Sequence, residues 1–118
     1  MWGEKVNCIF CKIVNKEIPS QIVYEDDYVL AFKDLYPQAP VHILVIPKNH
    51  ISSMNEINSE NSLAVSKIFE AISKIAVQEK IHESGYRVIS NCGGDGCQSV
   101  LHLHFHILGG KKLSESLT

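Results

Sequence analysis

Val100-Leu101-His102-Leu103-His104-Phe105-His106-Ile107-Leu108 is the stretch from which the rest of the chain is read, because histidine alternates with leucine, phenylalanine and isoleucine along it. Successive side chains of an extended strand point to opposite faces, so the pattern predicts imidazoles on one face and apolar residues against a core on the other. At a rise of about 3.3 Å per residue, neighbouring rings stand about 6.5–7 Å apart in one open row. An exposed strand face ordinarily carries Thr, Lys or Glu. Three imidazoles there point to chemistry.

Immediately upstream, Asn91-Cys92-Gly93-Gly94-Asp95-Gly96 reads as a glycine-rich turn, and Tyr86-Arg87-Val88-Ile89-Ser90 as the strand before it. From Ser59 to about Ile81, Val65, Ile68, Phe69, Ile72, Ile75 and Ala76 recur at helical spacing and predict one long helix with a single apolar stripe, closed by Gly85 as a stop signal. Further upstream, Ile22 to Tyr24, Tyr28 to Phe32 and Val41 to Ile46 read as strands, with Glu25-Asp26-Asp27 and Pro37-Gln38-Ala39-Pro40 as turns. A short amphipathic helix covers Ile9 to Val14. Strands before and after one major helix predict an α+β domain, a five-stranded, mostly antiparallel sheet with one long and one short helix.

With 118 residues, 45% hydrophobic and 20% charged, the chain is expected to form one domain over residues 1–110, followed by a tail at 111–118. Eleven Lys and Arg against thirteen Asp and Glu leave a net charge of −2, which gives no electrostatic reason to expect nucleic-acid or membrane binding. There is no apolar run of about 18 residues, and Met1-Trp2-Gly3-Glu4-Lys5 leads straight into the domain. The expectation is a cytoplasmic protein, also nuclear in a eukaryote, whose cysteines at 8, 11, 92 and 97 are reduced thiols available for metal or left free.

A row of imidazoles can hold a metal or work on a phosphate. Residues 91–99 offer backbone N–H groups from tight turns together with the Gln98 and Ser99 side chains, an anion cradle beside the row. No Asp or Glu lies between 96 and 114, so a neutral imidazole meets an anionic phosphate without carboxylate repulsion, and an N–P adduct stays open to water. This favours phosphoryl or nucleotidyl transfer through a covalent histidine.

The run from His102 to Leu108 resembles the His-φ-His-φ-His-φ-φ signature of the histidine-triad (HIT) superfamily. The resemblance continues through Cys8-Ile9-Phe10-Cys11-Lys12-Ile13, Glu17-Ile18-Pro19, Phe32-Lys33-Asp34, Pro37 to His42 and Val45-Ile46-Pro47-Lys48-Asn49-His50. Gln98-Ser99-Val100 and Leu108-Gly109-Gly110-Lys111 resemble the Hint branch, the nucleotide-binding purine nucleoside phosphoramidases. The resemblance implies His104 as nucleophile on an α-phosphorus, expelling an amine and releasing AMP or GMP. It makes His106 and Ser99 holders of phosphate oxygens or the leaving nitrogen, and His42 a histidine that orients the triad. A histidine near pKa 6.5 would supply the leaving group's proton. Asp34 with Leu35 matches the ribose-binding pair, Ile9, Phe10, Ile13 and Phe32 the base pocket, and Asn91, Cys97 and Gln98 the phosphate-side loop. A homodimer joining two sheets into one of ten strands is implied, with no catalytic cofactor. Dinucleoside-polyphosphate hydrolysis, a nucleotide-binding regulatory module without turnover, and metal storage by the histidine row are the competing readings.

Cys8-x-x-Cys11 has the spacing of half a tetrahedral zinc site. Some relatives complete such a site with a histidine after the Ile-Pro-Lys segment and with the first triad histidine. That implies a structural zinc on Cys8, Cys11, His50 and His102. Cys97 departs from the glycine usual in the Hint branch, and the tail lacks the branch's tryptophan-containing extension, for which Trp2 lies at the wrong end. His82 reads as exposed, and Cys92 with Cys97 as free thiols.

Overall fold

Val29-Leu30-Ala31-Phe32 and Ile43-Leu44-Val45-Ile46 have no polar alternation, so strands built from them must be covered on both faces. The structure, a computed structural model describing residues 7–118, meets that requirement with a sheet between two helices. Trp2 lies outside the described residues. The elements are α1 (Ile9–Val14), β1 (Ile22–Glu25), β2 (Val29–Lys33), β3 (Val41–Pro47), α2 (Ser62–Gln78), β4 (Tyr86–Ile89) and β5 (Phe105–Gly109). The five strands run in the order β1-β2-β3-β5-β4, every neighbouring pair antiparallel. Val29, Ala31, Ile43, Val45, Phe105 and Ile107 pack against Ile68, Ile72 and Ile75 of α2 on one face. Leu30, Phe32, Leu44 and Ile46 pack against Phe10, Cys11 and Ile13 of α1 on the other. Asp26 makes the first hairpin, its Oδ1 accepting the Tyr28 and Val29 N–H groups at 2.8 Å each.

Three sequence expectations need correction. The long helix is shorter, and Phe69 leaves its buried stripe: it is 53% exposed, its ring edge-on to Phe105 at 5.4 Å. Ala64 and Ala71 take the core positions beside Ile68 and Ile72, small residues that let the helix approach the sheet. The helix also stops well before Gly85. Lys80, in the left-handed region at φ 61, turns the chain; its N–H reaches the Val77 carbonyl and that of Ile81 reaches Ala76, a Schellman closure. A lysine there carries a Cβ penalty that glycine lacks, which is why a search for glycine missed it. Lys80→Gly should raise stability by about 0.5–1 kcal/mol, read as a higher urea midpoint at unchanged slope.

The third correction concerns the histidine run. β5 starts at Phe105 rather than Val100. Val45 pairs with Phe105, so two residues further on the same register would set Pro47 opposite Leu103, and proline has no N–H for the ladder. Leu103 N–H donates to the Ile51 carbonyl instead, at 2.6 Å. The alternation of faces nevertheless persists: Leu103, Phe105 and Ile107 join the α2 core, while His102 and His104 meet Phe10 of α1.

Candidate functional site

The row of histidines is enclosed, not open. His102 is 0% and His104 4% exposed, and His106 is half-buried. α1 is the cover, its Phe10 ring standing edge-on to His102 at 5.9 Å, to His104 at 5.3 Å and to Phe32 at 5.6 Å. The rings of His104 and His106 lie 5.2 Å apart, closer than extended geometry predicts.

Groups that can only donate or only accept assign the ring protons. Gln38 N–H donates to His42 Nδ1 at 3.0 Å, so neutral His42 carries its proton on Nε2. That Nε2 is 2.9 Å from His106 Nδ1 and 3.5 Å from Asp34 Oδ2, so the shorter bond runs to His106. His106 Nδ1 therefore accepts, and its Nε2 carries a proton directed away from His42. His104 Nδ1 lies 2.7 Å from the His102 carbonyl and must donate to it, leaving Nε2 as a lone pair. One imidazole thus presents a lone pair and its neighbour an N–H. Although Asp34, His42 and His106 have the composition of a metal site, the Gln38 N–H turns the His42 proton toward His106, so these nitrogens serve each other.

Burial, together with the His104 and His42 rings, pushes His106 down to about 4 despite Asp34. Burial likewise lowers His42, and Asp34 opposes it. Both rings are neutral at pH 7, so the expectation of a proton donor near 6.5 does not hold for His106. Between the ordinary histidine value, about 6.5, and about 4, the unfolded chain binds protons that the folded one resists. Stability therefore falls as pH drops through that window. His106→Asn should flatten this acid limb in a plot of urea midpoint against pH and leave the profile above pH 7 parallel to wild type.

A cleft of about 390 Å³ opens beside Phe10, walled by Ile9, Phe10, Ile13 and Phe32, with Asp34, Leu35 and Ser99 at its rim. Ile18, Leu44 and Val100, which sequence reading left out, also line it. Residues at these positions are indistinguishable from core by composition, and only the packing of α1 exposes them to a ligand. Asp34 uses Oδ1 to accept Tyr36 N–H at 2.8 Å, which fixes its carboxylate at the mouth.

Asn91, Cys97 and Gln98 are not among the lining residues. Asn91 Nδ2 donates to the Gly96 carbonyl at 2.7 Å, and Gln98 Nε2 to the Ser52 and Val100 carbonyls at 2.8 and 3.0 Å. The Gly93, Cys97 and Gln98 N–H groups are likewise spent inside the loop. Three of the cradle's N–H groups are thus engaged inside a stapled turn, while Ser99 lies at the cleft. Cys97 occupies the left-handed region at φ 61, the physical reason a glycine suits that position.

The metal-ligating set comes together completely. Cys8 Sγ lies 3.4 Å and Cys11 Sγ 3.6 Å from His102 Nδ1, and Cys11 Sγ lies 3.2 Å from His50 Nδ1. His102 Nε2 donates to the Pro47 carbonyl at 2.8 Å, which leaves Nδ1 as a lone pair facing the thiols. All four ligand atoms lie within 4.8 Å of one another. A tetrahedral zinc with Zn–S about 2.3 Å and Zn–N about 2.0–2.1 Å requires S···N edges of about 3.5 Å. The residues fit the ion. His82 is exposed, as expected, and Cys92 and Cys97 form no disulfide.

A family model described as HIT domain matches residues 15–113. The purine nucleoside phosphoramidase of Escherichia coli K12 is 49% identical over 109 residues, covering 92% of each chain. A solved HIT family hydrolase from Clostridium thermocellum superposes with a TM-score of 0.92 at 48% identity, over 95% of this chain and 97% of that one. The 14 kDa zinc-binding protein of Zea mays is 44% identical over 108 residues, 90% of this chain and 84% of that protein.

Proposed function

The chain belongs to the HIT domain family, and on that premise we propose that it is a hydrolase of purine nucleoside phosphoramidates acting through a nucleotidyl-histidine. The observation that carries the reading is the complementary pair of tautomers: a lone pair on His104 Nε2 beside a proton on His106 Nε2. In the first step His104 Nε2 forms a bond to the α-phosphorus as the P–N bond breaks. The departing nitrogen takes the His106 Nε2 proton while His104, now bonded to phosphorus, becomes cationic, so the charge of the pair is unchanged and the amine leaves neutral. In the second step water attacks the same phosphorus, the His104–P bond breaks, and AMP or GMP is released while the proton of water returns to the histidine pair.

The remainder of the site supports a nucleotide. Isoleucine and phenylalanine walls suit a planar base, and Asp34 suits the vicinal ribose hydroxyls. Ser99, which also lines the cleft, would donate to a phosphate oxygen. The name of the Escherichia coli relative favours a nitrogen leaving group over a second nucleotide. The expected homodimer pairs two copies of β4, a strand at the edge of the sheet, into one continuous sheet. Cys8, Cys11, His50 and His102 would hold a structural zinc. When bound, such an ion ties α1 to the segment bearing the histidines.

Adenosine phosphoramidate and a diadenosine polyphosphate, supplied separately with AMP release followed, test the reading. Faster release from the phosphoramidate supports it. Preference for the dinucleotide would make the protein a polyphosphate hydrolase, and tight AMP binding without release from either would make it a regulatory module.

A further inference from the structure

We propose that Ser90 is a positioning residue for His104, its hydroxyl standing in for a main-chain partner that His104 loses where the sheet ends. The proposal rests on His104 being the nucleophile. The ladder between β4 and β5 closes at Ile89 opposite His106, and two residues further on the same register would bring Asn91 opposite His104. That pair is not formed. The chain turns away at Asn91, held by the Asn91 Nδ2 bond to the Gly96 carbonyl. His104 is 4% exposed, so water has little access to a carbonyl left without its strand partner. Ser90 Oγ–H donates to it at 2.8 Å.

On the opposite side of β5 the ladder has already failed at Pro47. Residues 102–104 are thus placed by bonds outside any ladder: Leu103 N–H to the Ile51 carbonyl, His104 Nδ1–H to the His102 carbonyl, and Ser90 Oγ–H to the His104 carbonyl. The first two fix the His102–Leu103 peptide and the His104 ring; Ser90 holds the peptide after His104. Without the hydroxyl, the peptide between His104 and Phe105 is held on one side only, through the pairing of Phe105 with Val45, and a tilt of that peptide moves the ring with its Cα. A displacement of about 1 Å in a reacting group can cost on the order of 10²-fold in rate. Ser90 is not among the residues that line the cleft, so its loss should alter the placement of the nucleophile and leave the nucleotide's own contacts alone.

Ser90→Thr and Ser90→Val test this cleanly, because the two side chains differ by a hydroxyl against a methyl. Ser90→Val should lower kcat for adenosine phosphoramidate by about tenfold, with KM and AMP affinity unchanged, and Ser90→Thr should recover most of the rate. Nitrogen-15 spectra of the His104 ring give a readout independent of turnover: one Nδ1–H tautomer in wild type and Ser90→Thr, and a mixture in Ser90→Val. Equal kcat in the two variants, or a fall in AMP affinity in step with kcat, would overturn the proposal. Should wild type release no AMP from any nucleotide, the functional reading fails, and the spectra alone decide on Ser90: unchanged tautomers in Ser90→Val would reject it. If Ser90→Val does not fold, Ser90→Ala replaces it in both measurements.

Discussion

His104→Ala should lose at least about 10⁴-fold in AMP release from adenosine phosphoramidate while binding AMP within a few-fold of wild type. The size of the loss follows from the chemistry: with Nε2 gone, neither neighbouring triad imidazole offers a lone pair in its place. His106 Nδ1 accepts from His42, and His102 Nδ1 faces the thiols of Cys8 and Cys11. Binding should survive because Ile9, Ile13, Phe32 and Asp34 form the cleft without His104. The Phe10 ring loses one of its three edge contacts and keeps those with Phe32 and His102. Single-turnover mixing with labelled nucleotide, followed by an alkaline quench that preserves phosphoramidate bonds, should trap label on wild type and none on the variant. Residual turnover within tenfold of wild type would remove His104 from the mechanism.

Stripping metal from the protein should lower its Tm by on the order of 15 °C, as expected for a ligand present at about a thousand times its Kd. α1 has six residues, too few to persist without tertiary contacts. Cys8 caps its start, accepting the Cys11 N–H at 3.4 Å, and Cys11 sits one turn later. An ion held by both thiols, His50 and His102 would fasten both ends of that turn to the body of the domain. Phe10 lies between the two cysteines and forms both the cleft wall and the cover over His104. Metal loss should consequently weaken AMP binding as well as stability. The checks are zinc per protomer by elemental analysis, melting with and without chelator, and AMP titration of the stripped protein, with Cys11→Ser as the genetic counterpart. Protein that is zinc-free as purified, melts at the same temperature with added zinc and binds AMP equally well would discard the metal site.

The parts of the fold legible in the chain were those carried by periodicity. Unbroken apolar runs at 29–32 and 43–46 gave strands buried on both faces, and helical spacing from Ile68 to Ala76 gave α2. The ends of elements were not legible, since they depend on partners distant in sequence. Lys80 closes α2 through bonds to Val77 and Ala76 where a glycine was sought, and Pro47 shortens β5 from across the sheet. In the candidate site, spacing marked only Cys8 and Cys11, the family resemblance implied His50 and His102 as their partners, and the structure sets all four together. Asn91 and Gln98 lay in the right loop, yet their side chains staple the turn, because their amides are satisfied by carbonyls already within reach.

The amino-acid sequence alone determined which faces of the strands are apolar and which histidines share a face, because side-chain direction in a strand depends on position parity and nothing further away. Tertiary structure decided which nitrogen of each ring bears the proton. That choice belongs to single groups contributed by remote positions: the Gln38 N–H for His42, the Pro47 carbonyl for His102, and the His102 carbonyl for His104. An imidazole is donor or acceptor only in relation to the atom it faces, and that atom is known only once the chain has folded.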